Sequence, residues 1–190
     1  MVWVIAGILV AVAMLLMVAE RAGAPVVLAL EFKGDLKRES RWLAQYGQGA
    51  CTLVAAGLML LLDQRRFKHN LQPGVLLLIV VFGTSLICML LKRLLGRVRP
   101  GRDDAGKFLG FTWHHDNSRE SFPSSHSASA MAMSRLLARL YPPAALLFWA
   151  LALICAALRY LMDAHWPSDV VAGIAIGLAA GALACRLMGV

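Results

Sequence analysis

Long runs without a charged residue are the feature of this sequence that most constrains its fold. Four such runs are Val2–Ala19, Val75–Leu91, Pro143–Leu158 and Val170–Cys185. A helix needs about 20 residues to cross the hydrocarbon core of a bilayer, and each run with its flanking residues approaches that length. The chain is 59% hydrophobic and 16% charged, whereas a soluble domain has roughly 25% charged residues. Because a chain of this size cannot bury so much apolar surface, we expect much of it to face lipid.

Two further segments predict membrane helices that carry some polar side chains. Leu43–Leu62 is long enough to span only if the polar Gln45 and Gln48 lie at its interfacial end. Ser124–Tyr141 carries Arg135 and Arg139 near its far end, where their side chains can reach the head groups. The sequence therefore predicts an all-α, polytopic membrane protein with about six transmembrane helices, forming one domain over residues 1–190.

The N-terminal part of the chain leaves two questions of interpretation. Val2–Ala19 follows Met1 without a basic segment and has no convincing cleavage motif, so we expect a retained first span rather than a removed signal peptide. Arg21–Arg41 mixes apolar and charged residues. It is compatible with an interfacial amphipathic helix, a re-entrant segment or an ordinary loop.

Small residues recur at helical spacing in two of the predicted spans. Gly173, Gly177 and Gly181 are spaced by four, and Ser125 and Ser129 share a face of another helix. Such stripes let helix backbones approach closely within a membrane, although small residues are also common in spans generally. We expect these faces to be helix contacts.

The charge and the cysteines exclude several kinds of function. Net charge is +8, from 19 Lys and Arg against 11 Asp and Glu, and the basic residues lie between the apolar runs. Anionic membrane lipids or a phosphate substrate are the expected partners, and no nucleic-acid-binding motif is present. The four cysteines lie inside apolar runs without metal-ligand spacing, so we expect packing roles. The sequence gives no indication of oligomeric state.

If six helices alternate in direction, the ends of the third and fifth lie beside the starts of the fourth and sixth. The residues collected at that face are Lys92, Arg93, Arg97, Arg99, Arg102, Ser124, Ser125, His126, Arg159, His165 and Asp169. The opposite face receives Asp63, Arg65, Arg66, Lys68, Arg135 and Arg139. Each residue alone would be an ordinary membrane anchor. Together, the first group predicts an active site at one membrane face.

Several of these residues suit phosphoryl transfer, which needs fixed cations and N–H donors around the transferred group. Lys92 and Arg99 would lie two turns apart on one helical face if the helix continued past Leu91. Arg159 offers a planar fork for two phosphate oxygens. Ser124 and Ser125 begin a helix, whose free N–H groups favour an anion, and Ser124 adds a hydroxyl.

Two histidines allow a division of chemical roles. His165 and Asp169 are four residues apart across a helix start, so the carboxylate can hold one ring nitrogen and orient the other as a nucleophile. His126, in the first turn of another helix, can protonate the leaving oxygen.

These residues form three motifs: Lys92-x6-Arg99-Pro100, Pro123-Ser124-Ser125-His126 and Arg159-x5-His165-x3-Asp169. In order and internal spacing they resemble the signature of the type-2 phosphatidic acid phosphatase (PAP2) superfamily, which also includes bacterial acid phosphatases and vanadium haloperoxidases. The motifs cover Lys92–Asp169, and the apolar runs around them resemble the bacterial membrane lipid phosphatases.

The resemblance implies a lipid phosphatase without a metal or other cofactor. It implies a phosphohistidine on His165, protonation of the leaving group by His126 and orientation by Asp169. The phosphate would be bound by Lys92, Arg99, Ser124, the Ser125 amide and Arg159. Substrates of related bacterial enzymes include undecaprenyl diphosphate, phosphatidylglycerol phosphate, phosphatidic acid and lipid A phosphates.

Two positions depart from the family's usual pattern. Ser125 stands where the family usually has glycine, but it still supplies a backbone N–H. Leu158 stands where the family usually has serine, which removes a hydroxyl and leaves the implied mechanism intact.

The loop between the first two motifs invites two further interpretations. Its segment His114-His115-Asp116 could suggest a metal site, but adjacent histidines point in different directions and no third ligand follows at helical spacing, which favours a polar loop. The aromatic residues of Gly101–Phe122 would either shape the access of lipid to the site or form a lid.

The resemblance places the active site on the outer face of the cytoplasmic (inner) membrane, toward the periplasm in a bacterium with two membranes. The distribution of basic residues disagrees, because 13 of the 19 Lys and Arg would then lie outward, and the positive-inside rule expects the reverse. We give the resemblance precedence.

Two other functions fit parts of the pattern. A phosphotransferase of the same fold would pass the phosphoryl group from His165 to a second lipid. A membrane transporter or a non-catalytic lipid-binding scaffold would need the six helices but not the histidines, so that His165→Ala would leave its function intact.

Overall fold

Seven α-helices form within residues 1–23, 30, 32–62, 73–162 and 164–189, which the computed structural model describes. They are α1 (Val2–Arg21), α2 (Gly34–Leu43), α3 (Gly49–Leu62), α4 (Pro73–Leu95), α5 (Ser125–Leu140), α6 (Ala145–Leu161) and α7 (Pro167–Leu187), and a short 3-10 turn, Pro142–Ala144, leads into α6. The one β-bridge in these residues joins Arg97 to Phe108. The predicted all-α fold is confirmed.

Four of the helices are long and apolar enough to cross a membrane. They are Val2–Arg21, Pro73–Leu95, Pro142–Leu161 and Pro167–Leu187, and they correspond to the four uncharged runs. Many of their large apolar side chains are exposed, as for Leu15 at 71% and Leu146 at 83%. Since apolar side chains of this size are costly to expose to water, these surfaces fit a lipid environment.

The other two predicted spans are shorter helices in the structure. Helix α3 has 14 residues and α5 has 16, compared with the roughly 20 that a perpendicular crossing needs. The predicted start of one span at Leu43 is wrong. Leu43 ends α2, and a turn that includes Gly47, with a φ of 81°, separates it from α3.

The segment Arg21–Arg41 is only partly within the described residues. Its second half forms α2, which carries three basic residues and exposes the side chain of Trp42, just beyond Arg41. Residues 24–29 and 31 lie outside the described residues, as do Asp63, Arg65, Arg66 and Lys68, which were predicted for the opposite membrane face.

Helix α5 lies inside the bundle, against α4, α6 and α7. Most of its side chains are buried, and they are mainly alanine, serine and leucine. The glycine stripe of α7 faces it: a Cβ atom at Gly177 would collide with the carbonyl oxygen of Ala128, and one at Gly181 would lie 2.7 Å from Cβ of Arg135. The predicted close contact along this stripe is confirmed.

A glycine-to-alanine substitution should have opposite effects on stability at the crowded Gly177 and at the open Gly83. Gly177→Ala should lower the free energy of unfolding by about 1–3 kcal/mol, because backbone atoms of α5 must move to admit the methyl group. Gly83→Ala on α4 meets no heavy atom within 4 Å, so it should raise stability by about 0.5–1 kcal/mol through helix propensity. Unfolding in mixed detergent micelles measures both, and equal effects would contradict the packing.

The ends of several helices meet at one end of the bundle. The N–H of Ser124, before α5, donates to the carbonyl of Asp169 in α7 at 2.9 Å. The guanidinium of Arg99, after α4, donates to the carbonyl of Ala164 at 3.1 Å. These contacts connect segments that are distant in the chain, and they bring the charged residues of the three motifs together.

The helix does not continue from Lys92 to Arg99, so the condition for these two residues to share one helical face is not met. Helix α4 ends at Leu95, because Gly96 takes a φ of 59° in the left-handed region, which glycine adopts without steric cost. The chain then turns back, and Val98 exchanges backbone hydrogen bonds with Gly106 and Lys107. Arg99 reaches the same end of the bundle as Lys92 through this loop.

Candidate active site

A cavity of about 280 Å³ opens where these helix ends meet. Five of the eight predicted site residues line it, together with four residues from neighbouring segments. The lining residues are Gln48, Ser85, Met89, Lys92, Arg99, Glu120, Ser125, His126 and His165. The cavity therefore combines two cations, two imidazoles and the start of helix α5.

Lys92 and Arg99 are held by the same backbone carbonyl. The Lys92 ammonium donates to the carbonyl oxygen of Glu120 at 2.6 Å, and Arg99 donates to it at 3.4 Å. The Glu120 carboxylate points elsewhere, to Arg93 at 3.2 Å and to His115 at 2.8 Å. Both cations are therefore fixed at the cavity without being neutralised by this carboxylate, and they remain available to an anion.

His165 is 2% exposed and lies in the short connection between α6 and α7. Burial lowers the pKa of its imidazole to about 3; Asp169 opposes this shift, and the charges of Lys92 and Arg159 add to it. The ring is therefore neutral near pH 7 and keeps a lone pair for nucleophilic attack.

The carboxylate of Asp169 faces one side of the His165 ring. Its Oδ2 lies 3.6 Å from Nδ1 of His165, which is slightly longer than a hydrogen bond. Such contacts are often long in empty sites and shorten when substrate binds. This arrangement assigns the ring proton to Nδ1 and leaves Nε2 available to the cavity.

Ser124, Ser125 and His126 form the start of α5. The hydroxyl of Ser124 accepts from the N–H of Ser127 at 3.5 Å and shares a hydrogen bond with its hydroxyl at 2.9 Å. Ser124 thus caps the helix and is completely buried, rather than lining the cavity as a phosphate ligand would. The N–H groups of Ser125 and His126 have no carbonyl one turn earlier in the helix, so they can meet an anion.

Arg159, in the last turn of α6, is half-buried and is not among the residues that line the cavity. Its positive charge contributes to the lowered pKa of His165. Within the described residues no carboxylate pairs with Arg159. Its guanidinium therefore stays available to an anion that comes within its reach.

The order of these residues along the chain is that of a known family. The family model of the PAP2 superfamily matches residues 73–189, more than half of the chain. This chain belongs to the PAP2 superfamily. All three motifs and the cavity, apart from Gln48, lie within the matched part.

Two relatives whose names state an activity match this chain over different lengths. The lipid A 1-phosphatase of Rhizobium johnstonii is 38% identical over 105 residues, 55% of this chain and 43% of that protein, so the chain spans less than half of its length. The decaprenylphosphoryl-5-phosphoribose phosphatase of Mycobacterium tuberculosis is 34% identical over 165 residues, 82% of each chain.

A solved PAP2 structure shares the fold. The crystal structure of a transmembrane PAP2 type phosphatidylglycerolphosphate phosphatase from Bacillus subtilis matches with a TM-score of 0.67, covering 97% of this chain and 92% of that one. The two sequences are 20% identical. The similarity therefore establishes the shared PAP2 fold. It includes the first three helices, which lie outside residues 73–189.

The loop between the first two PAP2 motifs is polar at His114–Asp116. His115 pairs with Glu120, and Asp116 accepts from the hydroxyl and N–H of Ser118. The Ser118 hydroxyl is the main reason that the pKa of Asp116 is lowered. The side chains of His115 and Asp116 therefore serve hydrogen bonds within the loop.

The aromatic residues of the same loop occupy different environments. Phe108 packs against Phe122 and lies under the guanidinium groups of Arg21 and Arg97, at 5.0 and 5.3 Å from the ring centre. Trp113 is 82% exposed. Phe108 thus supports the interior of the loop, whereas Trp113 faces the surroundings.

Three residues in contact with the PAP2 motifs are not among the predicted site residues. Arg97 and Ser121 bind the two oxygens of Asp169, and Glu20 of α1 binds Arg97. The sequence contains a signal for Arg97, since it lies two residues before Arg99, and in an extended segment side chains two residues apart point to the same side. Glu20 is the first charged residue of the chain and ends the first uncharged run.

A larger groove of about 1150 Å³ adjoins the cavity. Its lining residues are Gly34, Lys37, Arg38, Arg41, Trp42, Leu43, Gln45, Tyr46, Gln48, Gly49, Ala50, Cys51, Val54 and Leu151. Gln48 lines both the groove and the cavity, so the two are adjacent. The groove combines apolar side chains with the basic residues of α2.

Proposed function

We propose that this chain is an integral-membrane lipid phosphatase that works through a phosphohistidine at His165 and needs no metal ion. The observation that carries the proposal is the cavity itself. His165 and His126 line it together with the fixed cations Lys92 and Arg99, and the Asp169 carboxylate faces the buried, neutral His165 ring. A phosphate group is the ligand that this combination of charge and N–H donors suits.

In the first step, Nε2 of His165 attacks phosphorus and the bond from phosphorus to the lipid oxygen breaks. The electron pair moves to that oxygen, which takes a proton from His126. Lys92, Arg99 and Arg159, with the N–H of Ser125, stabilise the charge on the transferring group. Ser124 contributes by capping the start of this helix. Its hydroxyl can bind the phosphate only if it breaks its hydrogen bonds with Ser127.

In the second step, water attacks the phosphohistidine after giving a proton to His126. The bond from phosphorus to Nε2 breaks, inorganic phosphate leaves and neutral His165 is restored. Asp169 stabilises the positive ring of the intermediate. If another lipid took the place of water, the same steps would make the protein a phosphotransferase.

The substrate class we propose is a lipid that carries a terminal phosphate. The relatives named above act, by their names, on lipid A, on decaprenylphosphoryl-5-phosphoribose and on phosphatidylglycerolphosphate. The cavity is slightly below the range of about 300–1,000 Å³ that is usual for small-molecule sites, so it suits the phosphate and its nearest atoms. The adjoining groove can hold the remaining, apolar part.

Blocking the groove should lower activity on long-chain lipid substrates and leave activity on short-chain substrates almost unchanged. Val54 lines the groove from α3, and Val54→Trp would displace the bound part of a lipid chain. We expect a roughly tenfold lower kcat/KM for a long-chain lipid phosphate, the equivalent of about two lost methylene contacts. Hydrolysis of a short-chain phosphate with the same head group should change little.

The matched control is Val12→Trp, which adds the same side chain to a lipid-facing position of α1 outside the groove. Both variants are assayed with the long- and short-chain substrates in the same detergent. Equal losses for the two chain lengths in Val54→Trp would show that the groove does not bind the lipid.

We propose that α1, α3, α4, α5, α6 and α7 form six membrane-embedded segments of one domain. The cavity would face the outside of the cytoplasmic membrane, toward the periplasm where one exists. The resemblance of the motifs supports this orientation, and the count of Lys and Arg opposes it. A reporter active on only one side, fused to the C-terminus, tests it, since this orientation requires a cytoplasmic C-terminus.

The function is tested by phosphate release from purified lipid phosphates in detergent with EDTA present. The panel contains phosphatidylglycerol phosphate, phosphatidic acid, lipid A, undecaprenyl diphosphate and a polyprenyl-linked sugar phosphate, with and without an acceptor lipid. Release of phosphate from at least one lipid in EDTA is the expected result. Loss of activity in EDTA would contradict the metal-free mechanism, and phosphorylated acceptor would identify a phosphotransferase.

A further inference from the structure

A buried ion network joins the first helix to the carboxylate that faces His165. Arg97 donates to Oε2 of Glu20 at 2.7 Å and to Oδ1 of Asp169 at 2.5 Å. The side chains of Arg97 and Asp169 are completely buried, and that of Glu20 is 2% exposed. Buried charges are stable only when they are paired and hydrogen-bonded, so the positions of the three groups depend on one another.

Glu20 also binds the first turn of α7. Its Oε1 accepts from the N–H of Ser168 at 2.9 Å, and its Oε2 accepts from the Ser168 hydroxyl at 2.6 Å. The Ser168 oxygen in turn accepts from Arg97 at 2.6 Å. Glu20 therefore holds both the arginine that contacts Asp169 and the backbone immediately before Asp169.

The remaining contacts leave Asp169 a single orientation. Arg97 occupies Oδ1, whereas Oδ2 accepts from the Ser121 hydroxyl and from the N–H of Trp166 at 3.0 Å. The same Oδ2 faces Nδ1 of His165 at 3.6 Å. If Arg97 released Oδ1, the carboxylate could rotate away from the imidazole.

The network also sets the charge beside the nucleophile. With Glu20 ionised, the Glu20, Arg97 and Asp169 side chains carry one net negative charge. This charge favours the positive ring that forms when Nε2 of His165 binds phosphorus. A neutral side chain at position 20 would leave Arg97 to offset Asp169 entirely, and the intermediate would lose this stabilisation.

We propose that Glu20 and Arg97 are positioning residues for the nucleophile: they act through Asp169 and touch neither substrate nor His165. The first helix then contributes to catalysis although it lies outside residues 73–189, the part that the family model matches. This inference rests on the proposed function, because it needs the phosphohistidine step.

The test compares Glu20→Gln and Glu20→Asp with the wild-type chain. Asp104→Asn is the control, because Asp104 forms an exposed pair with Lys107 at 2.6 Å away from the site. Pre-steady-state samples with radiolabelled lipid phosphate are quenched in alkaline detergent to measure the rate of phosphoenzyme formation. Steady-state kcat and KM are measured on the same preparations, normalised to folded protein.

Glu20→Gln should lower the rate of phosphoenzyme formation and kcat by roughly 10- to 100-fold, because a misplacement of about 1 Å near the chemistry can cost 100-fold. KM should change less than threefold, since the phosphate ligands are untouched. Glu20→Asp keeps the charge and should recover part of the rate, and Asp104→Asn should match the wild type.

Arg97→Lys provides the second arm. Lysine retains one positive charge, but it lacks the two guanidinium nitrogens with which Arg97 binds Glu20 and Asp169 at the same time. A loss of kcat similar to that of Glu20→Gln is therefore expected. If Glu20→Gln does not fold, Ser168→Ala removes one link of the network, and it should slow phosphoenzyme formation about three- to tenfold relative to wild type.

The outcomes separate this inference from the proposed function. Absence of a phosphoenzyme in the wild type would overturn the proposed function itself. A wild-type phosphoenzyme that forms equally fast in folded Glu20→Gln, or in Glu20→Asp and Ser168→Ala where Glu20→Gln does not fold, would overturn only the positioning role. A loss of thermal stability with unchanged kcat would show that the network is purely structural.

Discussion

Replacing His165 by asparagine is expected to reduce phosphate release by roughly 10⁴-fold or more, since losing a covalent nucleophile usually has effects of this size. His165 is the buried histidine that lines the cavity and faces Asp169, and an asparagine side chain cannot form the bond to phosphorus. The labelled phosphoenzyme should disappear in the same variant. Both quantities are measured with the lipid phosphate that gives the highest activity.

The matched control is His114→Asn, which makes the same change at an exposed loop position away from the cavity. It should keep wild-type kcat and phosphoenzyme. Substantial turnover in folded His165→Asn would contradict the covalent mechanism and would revive the alternatives in which the histidines have no catalytic role.

Replacing His126 by asparagine should reveal a dependence on the leaving group. With a lipid phosphate, kcat should fall by about 10²- to 10⁴-fold, the usual contribution of a general acid or base. With p-nitrophenyl phosphate, whose leaving group is a stable anion, the first step needs no proton. The rate of phosphoenzyme formation should then fall by less than about tenfold.

Stopped-flow release of p-nitrophenolate measures the first step directly, and phosphate release measures the whole cycle. His126→Asn should show a burst of p-nitrophenolate followed by slow turnover, because the attack of water still needs a base. Equal losses for both substrates in the burst would assign His126 to phosphate binding and not to proton transfer.

The helices could be predicted wherever a long uncharged run determined them. The four longest runs became the four helices that could span a membrane, because lipid requires apolar side chains over a fixed length. The boundary at Leu43 was wrong for a local reason. Gly47 permits a turn between α2 and α3, and hydrophobicity alone does not distinguish a turn from a helix.

Several residues of the cavity could be predicted because they lie at the ends of the uncharged segments. Lys92 and Arg99 came together as expected, but through a loop and not along a helix, because Gly96 ends α4. Glu20 and Arg97 could not be paired from the sequence. Their contact depends on α1 packing beside α7, and periodicity within a helix does not indicate which helices are neighbours.

On the proposed function, the groove beside Gln48 and the cavity assign lipid binding and phosphate chemistry to different parts of the chain. The reactive phosphate would then be held by residues between Lys92 and Asp169, whereas the rest of the lipid would lie mainly against residues 34–54. Substitutions in the second region can change which lipid is accepted without altering a catalytic group. On this proposal, members of the family would diverge in substrate through the region that precedes the family motifs, while the residues of the chemical steps stayed the same.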